Sequence, residues 1–197
     1  STQGVSSAAS DVYKRQVITI EAGKSSGSID VPAPANDVYK NGDTIEVGIT
    51  KAEGGNFENL QPSPDKAVTT VTDSIDDTGL SLSATDTVAE GGSIVYTATL
   101  TNPAGTPVTV TLSNGAVITI AAGATSGTAT VAAPADDVYK DAGKVEATIT
   151  KAEGGNFENL ETNPAPAVTD VTDTINTSTV SLTATPSVAE GGIVVYT

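Results

Sequence analysis

Residues 94–101 read IVYTATLT. Ile94, Tyr96, Ala98 and Leu100 alternate with Val95, Thr97, Thr99 and Thr101, the period of a strand with one buried and one solvated face. The same period recurs on both sides. Upstream, Leu80, Leu82 and Ala84 alternate with Ser81 and Ser83. Downstream, Val108, Val110 and Leu112 form a third strand, closed by the hairpin signal Asn114-Gly115. Residues 117–120 form a fourth, and 127–132 a weak fifth. Val145, Ala147 and Ile149 alternate with Glu146, Thr148 and Thr150 as a sixth, and 167–172 are a seventh. Glu90-Gly91-Gly92, NPAG at 102–105 and residues 121–125 supply turns. Residues 153–160 read as a glycine-containing loop whose Phe157 and Leu160 plug the end of the core. Short strands rich in Val, Ile and Thr, with no helical period, predict an all-β, seven-stranded antiparallel sandwich.

The pattern is written more than once. From Val17 onward residue i matches residue i+100 without insertion, at roughly 60% identity, which signals an array. KAEGGNFENL stands unchanged at 51–60 and 151–160. A period of 100 suits one whole sandwich per unit. Residues 17–76 then form the C-terminal part of a truncated repeat, 77–176 a complete repeat, and 177–197 the N-terminal part of the next, joined head to tail. Residues 1–16, STQGVSSAASDVYKRQ, break the register and contain Arg15, the only arginine. They read as an adapter-derived scar, not native sequence.

Composition narrows the chemistry. The 197 residues carry a net charge of −15 and no Cys, His, Met or Trp. There is no disulfide or thiolate chemistry, and zinc or copper lacks its usual ligands. So acidic a surface repels nucleic acid and anionic membranes, and no apolar run approaches the ~20 residues of a membrane helix. No nucleophile motif stands out, so an enzyme is not expected. Carboxylate oxygens suit hard cations. The core is short of bulk, with Tyr96, Tyr139 and Phe157 as the only aromatics of the complete unit, so a metal staple is the available reinforcement.

The candidate ligands follow from connectivity. Residues 135–143, ADDVYKDAG, bring Asp136, Asp137 and Asp141 into one loop, where like charges repel unless a cation spreads them. With strands alternating up and down, the loops after strands one, three and five share one end with the exit of strand seven. Those places carry Glu90, Asn114, Asp136 with Asp137, and Asp173. Four chain segments delivering oxygens to one end predict a Ca2+ site. A second acidic group, Glu153, Asn156, Glu158 and Glu161, falls at the opposite end. It is either a set of turn residues or the partner of Asp73, Asp76 and Asp77 across the junction between units.

With these residues in view, the unit resembles the Calx-β family: Glu-Gly after the first strand, ITIAAGATSGTATV, an Asp-Asp loop, NFENL and a terminal VTDT. The resemblance implies calcium ligation by Glu90, Asp136, Asp137 and Asp173, and by repetition Asp37, Asp73 and Glu190. The family's acidic position in the third-to-fourth strand turn is Asn114 here. The Thr-rich, Cys-free copies also resemble the extender regions of giant bacterial RTX adhesins, which are biofilm proteins exported by type I secretion. That resemblance implies an extracellular, cell-surface location.

The expected function is a calcium-rigidified spacer that projects an adhesive domain from the cell, monomeric and contacting neighbouring repeats of its own chain. The alternative is a carbohydrate- or partner-binding module. The lack of Trp and scarcity of Tyr weigh against a sugar-stacking surface.

Overall fold

The computed structural model describes residues 16–197. The segment read as an adapter scar, save Gln16, lies outside them. Among the described residues there is no helix, and hence none long and apolar enough to cross a membrane.

Twelve strands occur in chain order: β1 (Asp43–Val47), β2 (Ala67–Val71), β3 (Asp77–Ala84), β4 (Thr87–Ala89), β5 (Ser93–Leu100), β6 (Val108–Leu112), β7 (Val117–Ile120), β8 (Ser126–Ala132), β9 (Gly143–Ala147), β10 (Ile149–Gly154), β11 (Asn159–Thr162) and β12 (Ala167–Thr172). β3 to β12 build an all-β sandwich. One face has the order β11-β3-β5-β8. The other consists of β4-β12-β9 and β10-β6-β7. These two pieces meet because β9 and β10 are one run broken at Thr148, whose N–H and C=O both pair with Ser113.

The alternation seen in the sequence is what fills the core. Ile94, Tyr96, Ala98 and Leu100 of β5 are buried, as are Val108, Val110 and Leu112 of β6 and Ile118 and Ile120 of β7. The intervening residues face outward, as a half-buried strand requires. Six of the seven expected strands stand close to their sequence positions, and the sixth is the one divided at Thr148. Two further strands had no alternation to announce them. The three-residue β4 and the four-residue β11 pair parallel to β12 and β3. β11 runs through part of the expected glycine loop, and Phe157 just before it is buried as anticipated. Gly155 has φ +83, and a Cβ there would lie 2.3 Å from the Phe157 ring. Glycine is therefore what lets the ring fold back over its own loop.

The flanking copies keep the same register. β1 pairs with β2 from Asp43↔Val71 to Val47↔Ala67, and β9 pairs with β12 from Gly143↔Val171 to Ala147↔Ala167. Thr183 and Thr197 exchange backbone hydrogen bonds of 2.8 and 2.9 Å where Ser83 pairs with Thr97 in the sandwich. Local pairing is thus specified by each copy's own sequence.

Leu80 is 1% exposed at the centre of the packed cluster. Replacing it with Ala should cost about 2–5 kcal/mol through lost burial and a cavity. The urea midpoint should fall accordingly, with the slope unchanged.

Candidate metal centre

The central strand of the site is β12. On one side it pairs parallel with β4, from Asp170↔Thr87 to Thr172↔Ala89, and the Glu90 N–H continues the ladder to Thr172 O at 3.0 Å. One step further along both strands, Glu90 and Asp173 stand side by side. On its other side β12 pairs antiparallel with β9, ending at Val171↔Gly143. Two steps beyond that pair, Asp141 faces Asp173. Carboxylate oxygens of Glu90, Asp141 and Asp173 accordingly lie within 4.8 Å of one another.

The chain reaches this arrangement through a change of face. After Ala84 it leaves β3 and crosses to the other sheet as β4. Gly91, at φ +72, then turns it so that its N–H reaches Pro134 O at 2.7 Å. That bond ties the Glu90 turn to the segment just before the acidic loop.

The electrostatics are unbalanced. Glu90 is only 8% exposed. Its Oε2 is buried without a hydrogen-bond partner, and so is Asp173 Oδ1. Buried polar atoms are normally paired, and an ionised carboxylate all the more so. Glu90 is pushed up to about 7, chiefly by its side-chain hydrogen bond with Asp141, with burial and the charges of Asp141 and Asp173 adding to the effect. The Thr174 backbone N–H offsets part of this. A cleft of about 210 Å³ opens beside the cluster, lined by Glu90, Pro134, Asp141 and Lys144 among others. Lys144 does not neutralise the cluster, because its ammonium is bound to Asp170 at 2.6 Å. The arrangement has all-oxygen donors, surplus negative charge and space. It can take up either a proton or a hard cation.

The other candidate ligands are placed differently. Asp136 lies against Gly91, and its carboxylate accepts from Thr174 Oγ1 and from Asn176 Nδ2, the latter at 2.9 Å. Asp137 closes its own loop by accepting the Tyr139 N–H at 2.7 Å. Asn114 does not reach the site. β6 ends at Leu112 opposite Ile149, so its hairpin stops about five residues short of Gly143, on the order of 15 Å along the sheet. The Asn114 side chain instead accepts the Ala116 N–H at 3.0 Å. In the first copy, Asp37 and Asp73 are both held by Asn41: its side-chain amide donates to Asp37 at 2.8 Å, and its backbone N–H to Asp73 at 3.0 Å. Glu190 is exposed. Asp141 was visible in the acidic loop but absent from the expected ligand set. The signal that could have found it is register: once strands six and seven pair as a hairpin, Asp141 and Asp173 are opposed.

At the other end, Glu158 accepts the Asp76 N–H at 2.8 Å, and Asn159 donates to Asp77 at 2.8 Å. Glu158 of the second acidic group thus meets Asp76, in the segment leaving the first copy, through a hydrogen bond.

A family model for the LapA domain matches residues 6–74 and 76–174. The chain belongs to the LapA domain family. This overturns the Calx-β resemblance, since the LapA domain is a distinct family, and with it goes the transfer of calcium ligands from Calx-β domains. The RTX assignment falls as well. The LapA domain connects the chain with biofilm-related, cell-surface adhesins. A search of curated proteins found no match.

The raised Glu90 carboxyl has a definite consequence for stability. In the absence of divalent ions the folded chain holds this proton more tightly than the unfolded chain, between the ordinary value of 4.5 and about 7. Stability should therefore increase as pH falls through that window and decrease as pH rises through 7. Melting curves in chelator at pH 5 and pH 8 test this. Glu90→Gln should melt higher than the parent at pH 8, and the difference should close near pH 4.5.

Proposed function

We propose that the chain is an extender segment of a cell-surface adhesin, built from immunoglobulin-like sandwiches in a head-to-tail array and stiffened by calcium at the end of each unit. The observation that carries the cation is the pair of buried, unpartnered oxygens, Glu90 Oε2 and Asp173 Oδ1, facing Asp141. All donors are oxygens, which favours calcium or magnesium over transition metals. Calcium suits a site assembled from a turn, a loop and a strand end, because it tolerates irregular geometry and six to eight ligands.

The spacer role rests on shape and composition. The eight-residue strands β3 and β5 give roughly 26 Å of length per unit at ~3.3 Å per residue. The first copy joins at the Phe157 end of the sandwich and the chain leaves at the Glu90–Asp173 end, so successive units add length. Binding at one end of a unit braces the loop that faces the next.

With a Kd of about 10⁻⁴ M and millimolar calcium outside the cell, one ion stabilises a unit by about 1.4 kcal/mol. Chelation should then lower the melting temperature by roughly 5–10 °C. Calorimetric calcium titration should show saturable binding, and Glu90→Gln should abolish most of the thermal gain. A flat titration with the same melting point in calcium and chelator would refute the cation. Small-angle scattering profiles that do not change on chelation would refute the stiffening.

A further inference from the structure

The two acidic loops carry the same DVYK sequence and the same turn, yet one is covered and the other is bare. In both, the aspartate accepts the N–H of the tyrosine two residues on, at 2.8 Å for Asp37–Tyr39 and 2.7 Å for Asp137–Tyr139. The first loop is seated on the sandwich. Tyr39 stacks on Phe157 with ring centroids 5.9 Å apart and planes 22° off parallel. Its hydroxyl donates to Pro103 O at 2.8 Å. A short antiparallel bridge frames the pair: the Lys40 N–H reaches Asn156 O and the Glu158 N–H reaches Val38 O, both at 3.0 Å. A Cβ on Gly105 would come within 3.1 Å of the Tyr39 ring, so this turn needs its glycine to admit the aromatic.

The second loop presents the same apolar pair to solvent. Val138 is 57% and Tyr139 72% exposed, whereas Val38 and Tyr39 are half-buried. The sandwich therefore has a preformed aromatic hook at the Glu90 end and a matching socket at the Phe157 end.

We infer that the Val138–Tyr139 loop is a docking surface whose occupant is another copy of the 100-residue unit, received in the socket formed by Phe157, Pro103, Gly105, Asn156 and Glu158. Four observations point to this occupant rather than to an unrelated protein. The same DVYK turn sits in that socket within this chain. The hook has the seated turn before it is seated. The receiving loop, GGNFENL, is written unchanged in both copies. Finally, the seat is formed largely by backbone hydrogen bonds and ring stacking, which need the partner's glycines and bridge geometry rather than a charge pattern. This assignment rests on reading the chain as part of an array, but not on the cation.

In this chain the Phe157 socket is filled by its own Tyr39, so the test is to empty it. Tyr39→Ala in the full chain should loosen the first copy from the sandwich, seen as a larger maximum dimension in scattering. The vacated socket should then accept Tyr139 of a second chain, and the sedimentation coefficient should climb with concentration toward the millimolar range. Adding Tyr139→Ala should abolish that climb, while Tyr139→Ala alone should sediment and scatter like the parent. A Tyr39→Ala chain that shows no concentration dependence overturns the inference, as does one whose association survives Tyr139→Ala. The same series in chelator separates the two proposals: an intact hook without calcium binding removes the cation and leaves the joint.

Discussion

The pairing of β12 is the constraint on which the site depends. This strand lies between a parallel neighbour, β4, and an antiparallel one, β9. Its buried positions, Ala167, Thr169 and Val171, fix its register against both, because a one-residue slip would turn them to solvent. Once that register is fixed, the residues just past the ends of the three strands are fixed as well. Glu90, Asp173 and Asp141 then meet as three carboxylates, and the hydrophobic core holds them there despite their mutual repulsion. The sheet supplies the geometry, and neutrality would take a proton or a cation.

Much of the fold was legible because the core is written in period-two alternation. β5, β6 and β7 stand where apolar residues recur at every second position. β4 and β11 were not legible, for the same physical reason in both cases: three or four residues in parallel pairing at an edge carry no alternation and bury little of their own. The missing β4 mattered most for the site. The expectation that Glu90 and Asp173 share an end came from counting strands up and down. Their actual adjacency comes from the face change at Ala84 and the parallel ladder that follows. The same count put Asn114 at that end without showing how far along it lay. A short hairpin leaves it beside Thr148 instead, and strand length cannot be read from direction alone.

Asp141 shows a different limit. The sequence placed it among three carboxylates in one loop, but loop membership does not say which side chains turn inward. Pairing does. Asp137 spends its carboxylate on its own turn, Asp136 takes neutral donors from Thr174 and Asn176, and Asp141 is left facing Asp173. Position 41 of the first copy holds Asn, which resolves the same contact differently. Its backbone N–H and side-chain amide donate to Asp73 and Asp37, so the loop closes with neutral hydrogen bonds. Within one chain, then, the same loop position carries an acid facing other acids in one copy and an amide that satisfies its neighbouring acids in the other.

That difference gives the loop two distinct faces with two distinct demands. Its inner face lies against the end of β12, with Asp136 hydrogen-bonded by Thr174 and Asn176 and Asp141 facing Asp173. Its outer face, through Val138 and Tyr139, is apolar and shaped by a turn that forms with or without a partner. Because both faces belong to a segment of nine residues, 135–143, ordering the inner one lowers the entropy that docking the outer one must still lose. A cation at Glu90, Asp141 and Asp173 would therefore act on the joint without touching it. The first copy is seated with Asn41 in place of the acid, and there the hydrogen bonds from Asn41 to Asp37 and Asp73 contribute that ordering.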